Sequence, residues 1–329
     1  MSVVHRHQIS SYRRSRTGVV VATLAAATLT LTACAGGDSG QAPNGKLAFS
    51  HPNSSAPVTK AVQKYADERA DELGYELVSD DPKQQVAVQV TSVETWTTQQ
   101  VKGITMFSSD PSATAQVRDR AKAAGIKWST YGTGNETGDG AVLFSHVQSG
   151  QLLGEDAVEW INTQQRPQKV LLLTSTTAPV LSDRWTVPAD LIKSQTSSEI
   201  VVSQDAITQE AGLKVAETAL AAHPDIRVVI AMNDDAALGA MKAFSDRNID
   251  PESVYIGGQD GSLEALEAIK SGGYYKASVS VNIPAVGDAV VDSLVEQISG
   301  EGDGVVEVTP VLGTAKDPEG LDVLIGQYQ

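Results

Sequence analysis

The sequence predicts an α/β protein of two lobes, each a parallel sheet flanked by helices. Three observations carry that expectation. Short apolar runs alternate with helical stretches through most of the chain, the signature of parallel strands joined by right-handed crossovers. The run from Ile226 to Ala243, IRVVIAMNDDAALGAMKA, sets the contiguous β-branched residues Val228, Val229 and Ile230 just before a helix, as in a strand buried on both faces. The same rhythm is heard once before about residue 150 and once after it, and 329 residues are enough for two such units.

In order, the chain opens on an address. Arg6, Arg13, Arg14 and Arg16 precede an apolar run, Gly18 to Ala27, that is short for a membrane span. Leu31-Thr32-Ala33-Cys34 follows and resembles a bacterial lipobox, in which small residues precede a cysteine that is lipidated and becomes the N-terminus after cleavage. A plain secretory signal with an incidental cysteine is the alternative. Residues 1–33 are expected to be a lipoprotein signal peptide, exported by the general or the twin-arginine route, and 34–45, small, polar and Gly-rich, a flexible tether. Cys34 is the only cysteine, so no disulfide framework is available.

Folded structure is expected from Lys46, with Leu47-Ala48-Phe49 as first strand and Ser50 to Pro57 as a loop, Pro57 suiting a first helical turn. A helix from Val58 to Leu73 stops at Gly74, and Tyr75 to Val78 is a strand. Val101 to Phe107 is the next strand, and Ser108-Ser109-Asp110-Pro111 caps a helix ending at Gly125. Ile126 to Tyr131 is a strand, Leu152 to Ile161 a helix and Lys169 to Leu173 a strand. After an irregular stretch come the strand Ile200-Val201-Val202 and the helix Ala211 to Ala222. The strand beginning at Ile226 and its helix are next, then Val254 to Gly258 as strand and Leu263 to Lys270 as helix.

Charge and missing motifs narrow the function. The formal net charge is −15, and without the four arginines before Cys34 it is −19, a surface that repels phosphate backbones and argues against a nucleic-acid partner. No Gly-x-Ser-x-Gly elbow, no His pair at ligand spacing and no phosphate loop ending in Lys-Ser/Thr occurs, so an enzyme is the weaker reading. Asn233, Asp234 and Asp235 stand beyond the carboxyl end of a strand, where open α/β sheets bind ligands. They are also good helix caps, and capping alone would account for them; Asp235 is expected to be a cap.

Ala221-Ala222-His223-Pro224-Asp225-Ile226, Asn233 to Ala240, Ile256-Gly257-Gly258-Gln259-Asp260-Gly261 and Ala265 to Gly273 together resemble the sugar-type, ribose-binding-like periplasmic binding proteins. Ala70 to Tyr75 and Ala121 to Ile126 extend the resemblance into the first half. Members are the substrate-binding components of bacterial ABC importers. The resemblance implies a type 1 fold with three hinge crossovers, lobe 1 from 46–149 and 282–309, and lobe 2 from 150–281 and 310–329. It also implies a monomer without cofactor or metal that closes on a small polar, sugar-like solute and hands it to a membrane permease. A lipoprotein that presents its ligand to a membrane sensor is the alternative, and a repressor of the same fold would need a DNA-reading domain where this chain has a signal.

The resemblance further implies ligand contacts from Asn233 and Asp260, with Arg184, in the loop after Lys169 to Leu173, adding a fork of donors. Asp234 and Gln259 stand beside that pair, and Trp185 offers a face for a sugar ring or packs locally. Asn53, Ser55, Tyr131, Gln151 and Asn282 complete the candidate set, with His51 and Ser54 as further polar groups; each can equally be a satisfied loop residue. The departures concern the first lobe. Where sugar-binding members tend to carry Asp-Arg, this chain reads Tyr131-Gly132-Thr133-Gly134, and where they tend to carry Asp-Asn it reads Ser149-Gly150-Gln151. A glutamine expected near the second crossover aligns with Val281, beside Asn282.

Overall fold

The structure, a computed structural model, describes residues 44–132, 139–177 and 179–329. The lipobox at Cys34, almost all of the tether and the loop from Thr133 to Gly138 lie outside the described residues.

The first sheet takes β1 (Lys46–Ser50), β2 (Glu76–Ser79), β3 (Gly103–Met106), β4 (Lys127–Tyr131), β5 (Gly140–Phe144) and β11 (Val305–Val308) in the order β11-β5-β4-β3-β1-β2. All its pairings are parallel. The second takes β6 (Lys169–Thr174), β7 (Glu199–Asp205), β8 (Ile226–Ala231), β9 (Tyr255–Asp260), β10 (Tyr275–Ser280) and β12 (Val311–Thr314) in the order β12-β10-β9-β8-β6-β7. Only β12 runs antiparallel there. Two helix-covered parallel sheets are what the alternation predicts.

Helices cover both faces of each sheet because the strands are apolar on both faces. On the first, α1 (Pro57–Glu72) and α9 (Ile283–Ser299) bury one core with Leu47, Phe49 and Val142, while α2 (Val86–Thr98) and α3 (Pro111–Ala123) bury another around Ile104, Met106 and Trp128. On the second, α6 (Gln209–Ala222), α7 (Asp234–Asp246), α8 (Leu263–Ser271) and α10 (Pro318–Gly326) share a core with Leu171, Val229 and Ile256. There α4 (His146–Thr163) and α5 (Asp183–Gln195) close the opposite face over Val170, Val228 and Tyr255. The chain passes between the two sheets three times: after Phe144, between Ser280 and Ile283, and between Val308 and Val311.

Helices α6 and α7 meet backbone to backbone. A β-carbon on Gly212 would stand 2.1 Å from the carbonyl oxygen of Ala236, and one on Gly239 would stand 2.0 Å from that of Gln209. Only glycine permits that approach.

β5, β10, α9, β11, β12 and α10 form where the sequence carried no assignment, and two further segments differ from the expectation. Residues 86–98, VAVQVTSVETWTT, carry no helical expectation, being rich in β-branched residues, yet they form α2 because Gln89, Val93 and Trp96 recur at helical spacing and are buried together. The stretch read as irregular after β6 contains α5, so Arg184 and Trp185 sit on a first helical turn and not in a loop.

Candidate functional site

Parallel strands of one sheet all end at the same edge, so each sheet offers its carboxyl ends as one row. The second sheet's row is polar: Thr174 and Asp205 end β6 and β7, Asn233 follows β8 and Asp260 ends β9. Asp260 has φ +113°, a backbone region that costs a non-glycine residue of order 1–3 kcal/mol and that clusters at ligand sites. Its turn is pinned from the C-terminal end of the chain, where the Tyr328 hydroxyl donates to the Gly261 carbonyl at 2.6 Å.

Arg184 is brought to Asp260 by α5. Its Nη1 donates to Asp260 Oδ1 at 2.6 Å, and more weakly, at 3.4 Å, to the Met232 carbonyl. The guanidinium is 10 % exposed and the Asp260 side chain 40 %, so the buried cation steadies a carboxylate whose other oxygen stays open to a ligand. Arg184 Nε reaches His146 Nδ1 at 3.4 Å. Burial, and then the charge of Arg184, lower the His146 pKa to about 4, so the imidazole is neutral and accepts at Nδ1.

The neighbours of this pair divide into lining and support. Asn233 is the N-cap of α7: its Oδ1 accepts from Ala236 N at 3.0 Å and its Nδ2 donates to the Ile207 carbonyl at 2.9 Å, which leaves one proton and one lone pair free on a half-buried amide. Asp235, expected to be the cap, is instead an exposed first-turn residue. Burial first, and the Asp235 charge after it, raise the Asp260 pKa against the opposing pull of Arg184. Asp234 does not line the site. It is buried, and its carboxylate accepts from Tyr275 Oη at 2.8 Å, from Ser278 Oγ at 2.7 and 2.9 Å and from Ser262 N at 2.7 Å. Burial first, and the charge of Asp260 second, raise its pKa to about 7.

Gln259 is likewise support. It is fully buried, donating to the Arg184 carbonyl at 2.6 Å and accepting from Ser149 Oγ at 2.5 Å, which ties the first turn of α4 to Arg184. Trp185 packs with Leu153, Ile192 and Met232 in the core under α4 and α5, so it offers no stacking face. Gln151 lies on the exposed side of α4, donating to Glu155 at 2.9 Å. Asn282, in the left-handed region at φ +61°, spends its amide on the Thr309 carbonyl at 3.3 Å and so joins the second crossover to the third.

The first sheet's row is aromatic. His51 follows β1, Phe107 follows β3, Tyr131 ends β4 and Phe144 ends β5, one ring at each of four strands, with Phe49 beneath. Ring centroids are 5.2 Å apart for His51 and Phe107, 5.8 Å for Phe107 and Tyr131, and 5.6 Å for Tyr131 and Phe144. Burial lowers the His51 pKa to about 4, so it too is neutral, and its Nδ1 receives Asn53 N at 3.1 Å. Burial, and then the charge of Asp260, raise the Tyr131 hydroxyl. The two rows lie at the same end of their sheets, since Phe144 closes β5 two residues before His146, which Arg184 reaches from the polar row. Asn53 and Ser55 are exposed on the loop after β1 and bond to each other; with Ser55, Thr59 and Asp81 this loop borders a recess of about 550 Å³. Phe107, Phe144 and His146 are not among the candidates read from the sequence, whereas His51 and Tyr131 are. The signal for the rings was present, since each closes an apolar run at a strand end.

The periplasmic-binding-protein-domain family matches residues 47–302 of the chain. A D-apiose import binding protein of Paraburkholderia graminis is 31% identical over 75% of this chain and 78% of its own length. A ribose import binding protein of Haemophilus influenzae is 26% identical over 66% and 73%. Among solved structures, an ABC transporter periplasmic solute binding protein from Actinobacillus succinogenes with bound D-allose has a TM-score of 0.75 at 21% identity, covering 84% of this chain and 99% of that one. The myo-inositol binding protein of Caulobacter has a TM-score of 0.70 at 23% identity, covering 86% and 97%. Matched over most of its length by the family, and by solved structures with the same pair of lobes, the chain belongs to the periplasmic binding proteins of type 1 fold.

Proposed function

We propose that the protein is an extracytoplasmic solute-binding lipoprotein that captures a small, sugar-like molecule between its lobes and delivers it to an ABC permease. The observation that carries the reading is the half-open ion pair Arg184–Asp260 at the carboxyl edge of one sheet, with a row of rings at the carboxyl edge of the other, joined through the contact of Arg184 with His146 beside Phe144. A carboxylate steadied on one oxygen accepts ligand hydroxyl protons on the other, and Asn233 adds a donor and an acceptor. Contacts from both rows form only when the cleft is shut, so ligand shifts an open–closed equilibrium that the permease reads. The lobes are 46–149 with 282–309, and 150–281 with 310–329, hinged at the three crossovers. The names of the relatives, which import D-apiose and ribose, support a sugar or polyol as solute.

A thermal-shift screen over sugars and polyols tests this, because a solute that binds only the native state raises the melting temperature. Failure of every such solute to shift it refutes the reading. The lipid anchor rests on Leu31-Thr32-Ala33-Cys34. A Cys34→Ala variant is expected to leave the membrane fraction while its folded part still binds solute; retention in the membrane fraction refutes the anchor.

A further inference from the structure

The two rows at the carboxyl edges of the sheets differ in chemistry. The chain has only four phenylalanines, and three of them, Phe49, Phe107 and Phe144, gather at the carboxyl edge of the first sheet. Phe107 and Phe144 are half-buried and keep part of their surface open, and Tyr131 holds them in edge-to-face contact. Among the described residues, the polar atoms of this row are few between β3 and β5, while Asp80 and Asp81 stand at the β2 end of the same edge, around the recess. Tyr131 is 9% exposed, and its hydroxyl has no hydrogen-bond partner among the described residues. The imidazole of His51 is neutral, with Nδ1 already engaged.

A solute hydroxyl pressed on this row leaves water and meets carbon, a loss that a C–H or methyl edge does not suffer. The opposite row, with Asp260, Arg184 and Asn233, is built for vicinal hydroxyls. Resting on the solute-binding reading above, we infer that the cleft selects a two-sided solute. One edge carries hydroxyls, for the Asp260 side; the other is deoxygenated, a methyl or methylene edge that lies on Phe107 and Phe144, with one polar atom reaching Tyr131.

The test uses matched pairs: D-galactose against D-fucose, D-glucose against 6-deoxy-D-glucose, and D-ribose against 5-deoxy-D-ribose, each titrated by calorimetry into the intact protein. The deoxy member of at least one pair is expected to bind roughly tenfold more tightly than its parent, the scale of one unpaired hydroxyl. In Phe107→Gln the preference within that pair should shrink several-fold; because the readout is a ratio within one protein, partial loss of fold does not imitate it. Tyr131→Phe, which keeps the ring, should weaken the deoxy solute by roughly five- to tenfold. Parents that bind as well as or better than their deoxy partners in every pair overturn this inference and leave the solute-binding reading standing. Binding of another sugar or polyol but of no pair member also overturns this inference, and binding of no sugar or polyol at all overturns both.

Discussion

Asp234 is the residue for which the structure makes the sharpest numerical prediction. Its carboxyl holds a proton up to about pH 7 in the fold, against 3.8 for the ordinary side chain. Between those values the unfolded chain binds fewer protons than the native one, so stability falls as pH rises and levels off once pH exceeds the native pKa. Integrated from pH 5 to pH 8, the loss is about 2.5 kcal/mol. The site can host either form, since the Ser278 hydroxyl touches both carboxyl oxygens and can donate to one while accepting a proton from the other. In D234N the titration disappears, while the new amide, with its oxygen kept on the Ser262 N–H, sets its N–H groups against the Tyr275 hydroxyl, whose proton loses its acceptor, costing about 1–2 kcal/mol at pH 5. Wild type is therefore expected to be the more stable at pH 5, and the variant its equal or better at pH 8. Urea unfolding of both proteins at several pH values measures the gap. A gap that does not change with pH, or that grows in favour of wild type as pH rises, refutes the reasoning. Solute affinity of D234N should stay within a few-fold of wild type, because this side chain lies behind the site.

Asp260→Ala removes the acceptor of the candidate site and should cost about 2 kcal/mol of binding, roughly thirtyfold, by calorimetry with whichever solute the screen returns; undiminished affinity moves the site elsewhere. Asn233→Ala should lower stability by about 1 kcal/mol through loss of the α7 cap, while Asp235→Ala should change it by only a few tenths, since Asn233 holds the cap. Gly239→Ala drives a methyl into the Gln209 carbonyl and should destabilise by about 2–3 kcal/mol in urea; a neutral result contradicts the backbone contact of α6 with α7.

The fold was legible because its evidence is local: β-branched runs such as Val228 to Ile230, caps such as Asp110, and stops at Gly74 and Gly125. The site was legible in part. Asp260 and Arg184 could be paired from the resemblance, and the structure brings them within 2.6 Å. The three adjacent polar residues after β8 could not be told apart in one dimension. A helix turns about 100° per residue, so Asn233 caps, Asp234 points inward to Tyr275 and Ser278, and Asp235 faces solvent. Burial decided the remaining cases. Gln259 and Trp185 look like ligand residues in a list, and only the packing of α4 against α5 shows that both are spent inside the lobe.

The threefold passage of the chain between the sheets also dictates an order of assembly. Helix α9 supplies Ile283, Val286, Ala289, Val290, Val291 and Leu294 to the core that Leu47 and Phe49 begin, yet it follows every strand of the second sheet except β12. During synthesis the first sheet therefore has one apolar face covered only by α1, with the α9 part open, until nearly the whole polypeptide exists. The second lobe gains most of its own strands and helices earlier and can act as a folded insert. A fragment ending near residue 150 would carry the first half of lobe 1 with the α9 part of that face still open, and is expected to aggregate rather than fold.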